Sequence, residues 1–324
     1  MNLERRALAA TAAVTAAATG LLSPGVTLGH GDAPLAPSLP GVLASWNLDP
    51  LTVALLLAGG VAYAWTVRSV DRAHPASPVP RRRHAWFAVA LASLALALLS
   101  PIERYAESLF SVHMLQHMLL EFIAAPALLL AAPVTLALRA ASTAVRRGLL
   151  GILNSRVVHV VSFPLIGWVV FAAVNWFWHF SPLYDRALDS PPLHYLEHAA
   201  FLLAAVAFWA PVVALDPIRW RLSHPVRLLY LFVAMPQNSF LGLAIFTTGR
   251  VLFPHYVSVQ RAWGPSPLDD QHLAGALMWV GGDVAFLIAM AAVVAGWMRH
   301  EERRTARMDA RLDRLTDAPI DARR

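Results

Sequence analysis

Ser111-Val112-His113-Met114-Leu115-Gln116-His117-Met118-Leu119-Leu120-Glu121 opens an apolar stretch that runs on to Leu138. The stretch is long enough to cross a hydrocarbon core of ~30 Å at ~1.5 Å per residue. It begins with two histidines four residues apart, which a helix places on one face. At the same helical spacing Glu121 continues the column, reaching about 12 Å into the bilayer at ~1.5 Å per residue. A spanning helix that starts in imidazole and carboxylate sets the two questions of the chain: how many such spans there are, and what the histidines do.

Six further apolar runs answer the first. With the stretch above, counted as 113–138, the expected spans are 48–68, 85–101, 113–138, 157–178, 195–214, 226–247 and 273–298. The composition agrees, being 57% hydrophobic and only 14% charged across 324 residues, which suits a multi-span membrane protein better than a soluble domain. The expected fold is all-α: a polytopic membrane protein built as a seven-transmembrane helix bundle. Residues 1–29 read as a signal peptide or signal anchor, with Arg5 and Arg6 before an alanine-rich stretch and Thr27-Leu28-Gly29 as a cleavage site. Cleavage there would leave His30 as the first residue. Residues 30–47 form an outer linker, 48–298 the membrane domain and 299–324 a charged tail that alternates Arg with Asp and Glu.

Arginine orients the bundle. Loops 68–84, 139–156 and 215–227 and the tail hold twenty arginines, whereas the opposite loops hold only Arg104, Arg186, Arg250 and Arg261. By the positive-inside rule the amino terminus is expected outside and the carboxyl terminus in the cytoplasm. The same asymmetry explains the net charge of +6 without nucleic acid. There is no cysteine, so disulfides, thiolate metal sites, iron–sulfur clusters and covalent c-type haem are excluded.

This orientation gathers seven histidines at the outer face: His113, His117, His179, His194, His198, His255 and His272. His194-Tyr195-Leu196-Glu197-His198 repeats the spacing of four at the start of the fifth span. Single histidines at helix ends are ordinary interfacial residues; two helical pairs at one depth suggest a metal site. Met114 and Met118 add soft thioethers, and a mixture of soft and borderline ligands suits Cu(I), whereas imidazole alone suits zinc, copper or iron. The expected ligands are the seven histidines and Met114. Glu121, Glu197 and Asp283 are expected to support them from behind. Polar residues within the spans, Asn175, Gln237, Asn238 and Asp283, are costly there. Pro236-Gln237-Asn238 and Gly281-Gly282-Asp283 are expected to interrupt spans six and seven, leaving either a polar chamber or ordinary interhelical hydrogen bonds.

Several blocks carry a resemblance over residues 45–298. They are Ser100-Pro101-Ile102-Glu103 leading to His113-Met114-x-Gln116-His117; Trp178-His179-Phe180-Ser181-Pro182-Leu183-Tyr184; Leu196-Glu197-His198; and Pro265-x-Pro267-Leu268-x-Asp270-Gln271-x-Leu273-x-Gly275-x-x-Met278-Trp279. With these the chain resembles the CtaG family of assembly factors for caa-type cytochrome c oxidases, which is distinct from a single-span, cysteine-using copper chaperone family of the same name. The resemblance implies a non-enzymatic membrane factor of the bacterial inner membrane that assists haem-copper oxidase maturation, with copper as its ion. Its implied partners are cytochrome c oxidase subunits, a periplasmic copper chaperone and membrane lipid. Rival readings are a copper or small-solute transporter using Gln237, Asn238 and Asp283, a b-type haem protein with bis-histidine ligation, a non-haem metal oxidoreductase, and a scaffold without metal.

The orientation has a direct test. A cysteine placed at Ser181 is expected to react with an impermeant maleimide in intact cells; labelling only after permeabilisation would invert the topology.

Overall fold

The computed structural model describes residues 36–217 and 219–316; the 1–29 leader and His30 lie outside them. Among the described residues the regular structure is helical throughout. Seven long helices form the bundle: span 1 (Pro50–Ala73), span 2 (Arg81–Leu99), span 3 (Phe110–Ala140), span 4 (Pro164–Phe180), span 5 (Pro191–Val213), span 6 (His224–Thr247) and span 7, which starts at Pro267. Six of these are long and apolar enough to cross a membrane, and span 4 is a shorter apolar helix.

Proline sets many of the starts. It stands in the first turn of spans 1, 3's terminal segment, 4, 5, 6 and 7, where its missing N–H would have had no partner. Span 4 shows the consequence. Its expected start at 157 is incorrect: residues Arg156–Val161 make a separate short helix, and Phe163 turns extended (ψ 128°) ahead of Pro164. The residue before a proline is pushed out of the helical region. The remaining 17 residues, at ~1.5 Å each, cover about 25 Å, less than a typical core thickness.

Span 3 is also not one regular helix. A wide π turn occupies Leu119–Ala124, and Ala132 adopts a left-handed conformation (φ 52°) before Pro133 starts the last segment. Span 6, in contrast, runs unbroken through Pro236, so the expected interruption there is incorrect. The interruption expected in span 7 is there, as a π turn over Leu277–Gly281 just ahead of Gly282 and Asp283. Neighbouring side chains satisfy these places. Asn238 Nδ2 donates to the Met278 carbonyl at 3.0 Å, and Ser239 Oγ donates to Asp283 Oδ1 at 2.8 Å. Span 7 then continues as helix past residue 298 to Thr316, with no break where the charged tail begins.

Span 5 is the central element. Half of its apolar window is buried, against 11% of that of span 1 at the periphery. Glycine allows the closest contacts, as expected where helices associate in lipid through small residues. A Cβ on Gly167 of span 4 would lie 2.6 Å from the Ala207 carbonyl oxygen of span 5. Cβ atoms on Gly242 of span 6 and Gly275 of span 7 would lie 2.7 Å from Trp279 N and 2.6 Å from Phe246 N. These obstacles are backbone atoms and cannot rotate away.

Gly275→Ala should therefore separate spans 6 and 7 and destabilise the bundle by ~1–3 kcal/mol, the usual cost of overpacking. Gly151→Ala, which meets nothing within 4 Å, serves as control. The thermal unfolding midpoint in detergent is the measurement, and equal midpoints for the two variants would show that the contact yields.

Candidate metal centre

Three helix ends meet at the end of the bundle away from the arginine-rich loops. The first is the start of span 3. Its leading N–H groups have no partner within the helix, and the carboxylate of Asp270, from span 7, takes them. Asp270 Oδ2 accepts from Phe110 N at 2.6 Å, and Asp270 Oδ1 accepts from Ser111 Oγ at 2.5 Å. A negative charge at a helix N-terminus also meets the positive end of its dipole. Gln271, the next residue, holds the adjoining loop by accepting from Leu252 N (2.7 Å) and donating to the Arg250 carbonyl (3.0 Å). The second element is the start of span 5, bearing His194, Glu197 and His198. The third is the end of span 4, bearing Asn175 and His179.

The two histidine pairs face each other across this junction. Ring centroids are 4.5 Å apart for His113–His117 and 4.2 Å for His194–His198. Across the helices they are 5.4 Å for His113–His194, 6.1 Å for His113–His198 and 5.8 Å for His117–His198. The Glu197 carboxylate lies between them, with Oε2 3.8 Å from His113 Nε2 and Oε1 3.9 Å from His117 Nε2. His113 and Glu197 are fully buried. Two sets of three ligand atoms each fall within 4.8 Å of one another: His113, His117 and His198, and His113, His194 and Glu197. Nitrogens on one tetrahedral ion with bonds of ~2.0–2.1 Å lie about 3.4 Å apart, so the arrangement is open by at most about 1.4 Å.

Most of these atoms have nothing to bond to within the protein. His113 Nε2, both ring nitrogens of His117, His198 Nε2 and both oxygens of Glu197 are buried without a hydrogen-bond partner. The histidine tautomers follow from the surrounding acceptors. Tyr256 gives its one hydroxyl proton to the Ala106 carbonyl at 3.1 Å, so its oxygen can only accept from His113 Nδ1, 3.2 Å away. His113 thus carries its proton on Nδ1 and turns the lone pair of Nε2 towards Glu197. His179 is set in the same way. Its Nδ1 donates to the Asn175 carbonyl at 2.7 Å, which leaves the Nε2 lone pair 3.1 Å from the sulfur of Met114. Twice, then, a nitrogen lone pair is turned towards another group that offers electron pairs, the Glu197 carboxyl and the Met114 sulfur.

Behind His194 stands a residue to which the sequence reading gave no role. Glu103 Oε1 is 3.8 Å from His194 Nδ1. Gln116 donates from Nε2 to Glu103 Oε2, and also to the Ala97 carbonyl at 2.8 Å. Burial pushes the Glu103 carboxyl up to about 8; the bond from Gln116 opposes this, and the charges of Glu107 and Asp49 add to it. Gln116 directly precedes His117, which was the available sign that it faces the same junction from the neighbouring side. Tyr256 gave no comparable sign, because it comes from a short helix, Pro254–Ser258, more than a hundred residues away.

Other expected residues lie elsewhere. His255 bonds Asp189 Oδ1 and the Glu107 carbonyl, both at 3.0 Å, and so pins a loop. His272 is 3.3 Å from the Thr248 carbonyl and packs against Phe246. Both therefore leave the expected ligand set. Glu121 leaves the histidine column because the π turn begins at Leu119, just after His117. It accepts from Asn175 Nδ2 at 2.8 Å, and its backbone carbonyl accepts from Trp209 Nε1 at 2.8 Å. Asp283 is bonded to Ser239 between spans 6 and 7, away from the cluster. Glu197, expected behind the ligands, stands among them.

No solved structure matches the chain. Three curated proteins, from Mycobacterium leprae, Mycobacterium bovis and Mycobacterium tuberculosis, are each 31% identical to it over 296 residues, and each carries the description "uncharacterized protein". The match takes in 89% of this chain but only 44% of theirs, so the chain spans less than half the length of these relatives. Residues 61–300, well over half of the chain and including all three helix ends of the cluster, match the family model described as the cytochrome c oxidase caa3 assembly factor. The chain belongs to that family.

Proposed function

We propose that the protein serves cytochrome c oxidase assembly by holding a copper ion, as cargo, in the cluster formed by His113, His117, His194, His198 and Glu197. The observation that carries this reading is the group of buried, unpartnered donor atoms on facing helices. An unsatisfied buried polar group costs ~1–3 kcal/mol, and more when it is charged. A cation at the junction would satisfy several at once and neutralise Glu197. Imidazole and carboxylate alone do not select copper from zinc or iron. Two further considerations favour copper: the thioether of Met114 beside His179 Nε2, a soft pair adjoining the cluster, and the family's process, since the oxidase it serves needs copper.

In this reading the arginine-rich loops are cytoplasmic, the cluster faces outward from the bacterial cytoplasmic membrane, and a periplasmic copper carrier and the oxidase subunits are donor and client. The role is delivery rather than catalysis. The polar residues of spans 6 and 7 give less support to a transport path, because Gln237, Asn238 and Asp283 are engaged with Trp176, Met278 and Ser239. A haem between the two pairs fits poorly, because Phe201 packs on His117 at 4.1 Å and Tyr184 on His113 at 5.2 Å.

His117→Ala or His198→Ala should lower oxidase activity and oxidase copper in cells while the assembly factor stays in the membrane. Added copper should restore part of the loss by mass action. Activity, copper and abundance are measured in the same membranes, and normal activity and copper in both variants would remove the role. Tyr256→Phe gives a finer test. It leaves the ring in place but removes the oxygen that orients His113, and copper affinity of the purified protein should fall ~10–100-fold. Unchanged affinity would show that His113 needs no such support.

A further inference from the structure

The cluster is closed on most sides. Tyr184 and Tyr256, both buried, cover His113 from the loop side, and buried Phe201 lies against His117. The remaining side adjoins a cavity of about 880 Å³ between span 1, span 2, span 5 and the short helix Pro101–Ala106. His194 and His198 line this cavity, whereas His113, His117 and Glu197 do not. His198 is 7% exposed, and its buried Nε2 has no partner. The cavity's polar end carries Asp49, Glu103 and Glu107, with Arg104 paired to Glu107 at 3.6 Å. Asp49 accepts from Thr52 N at 2.7 Å and from the Tyr195 hydroxyl at 2.8 Å. Its inner walls are mostly leucine, among them Leu94, Leu98 and Leu202.

These groups form a graded series. A carboxylate stands at the mouth, and Glu103 is 3.8 Å from His194 Nδ1. The His194 and His198 rings are 4.2 Å apart, and His198 is 5.8 Å from His117. The steps from Glu103 to His194, from His194 to His198 and from His198 to His117 are short enough for a cation to hold its next ligand before it releases the last. The leucine walls limit the water that could compete for it. We propose that this cavity is the route by which the cation reaches the buried cluster, with Asp49 and Glu103 collecting it and His194 and His198 passing it inward. The transfer is an exchange of ligands: oxygen donors at the mouth are replaced by imidazole nitrogens, and the ion keeps its charge throughout. The inference rests on the proposed function and adds to it a direction of loading.

The test uses the purified full chain in detergent and Cu(I) held by a chromophoric chelator, whose loss of colour reports transfer. Ala199→Trp and Leu55→Trp each put a bulky ring into the cavity from opposite walls. Both should slow uptake while leaving final stoichiometry and affinity unchanged. Asp49→Asn, which keeps the helix cap, should lower the uptake rate about tenfold at low salt and less at high salt, as lost electrostatic focusing predicts, and Glu103→Gln, which removes an ionisable oxygen donor beside His194, should slow uptake at either salt. Leu273→Trp, on the exposed face of span 7, should change nothing. Unaltered rates in both plugged variants would overturn the route while leaving the cluster's role intact, and so would equal slowing by Leu273→Trp. A loss of affinity rather than rate in Glu103→Gln would make Glu103 a ligand of the centre and overturn the proposed order. If the unaltered protein takes no copper, the proposed function fails and the route fails with it.

Discussion

A carboxylate held between two imidazoles, without a hydrogen bond to either, is the constraint on which the structure turns. Glu197 projects from span 5 towards His113 and His117 of span 3, in a place fully removed from solvent. Burying such groups is expensive unless they are paired or bound to an ion. A bundle that needed only stability would bring apolar faces together here. This one brings a set of electron-pair donors, and the surrounding framework serves to keep them in place.

That framework is distributed along the chain. Asp270 takes the free N–H groups at the start of span 3 and ties them to span 7. Gln271 holds the adjoining loop, and Tyr256 on a short helix beyond it fixes the tautomer of His113. Gly242 and Gly275 let spans 6 and 7 approach closely enough for this support to act. His255, which supplies no donor to the cluster, pins the same region by bonding Asp189 and the Glu107 carbonyl. The chain belongs to the family described as the cytochrome c oxidase caa3 assembly factor, and this geometry is the physical ground for the proposal that an ion is held there.

The helices also divide into a fixed part and an open side. Spans 3, 5, 6 and 7 are tied by glycine contacts and interhelical hydrogen bonds. Span 1 is peripheral and leaves a cavity between itself and span 5. The division suits the proposed role in holding and passing on an ion, because rigid donors keep a ligand geometry and an accessible side permits exchange.

Much of the fold was legible along the chain. Apolar runs of the right length gave the helices, because lipid requires each crossing segment to satisfy its own backbone. Prolines stand in the first turn of most spans, a local signal of the starts that the apolar runs alone placed a few residues away. Two histidine pairs at helical spacing gave the centre of the site, since a spacing of four leaves little freedom on a helix. What the chain could not show was any consequence of irregular winding or of which helix meets which. The π turn after Met118 moved Glu121 out of the histidine column, and span 6 runs unbroken through Pro236, with Asn238 and Ser239 reaching to span 7. His255 and His272 share the outer end with the cluster but not its interior, a distinction made by loop paths and not by depth. By itself, then, the sequence determined the helices and the paired imidazoles, both of which are local properties of the chain. Only the tertiary structure decided that Glu197 stands among the paired imidazoles, that Glu103 adjoins His194 and Tyr256 orients His113, and that a cavity opens beside His198, because these depend on contacts between residues far apart in the chain.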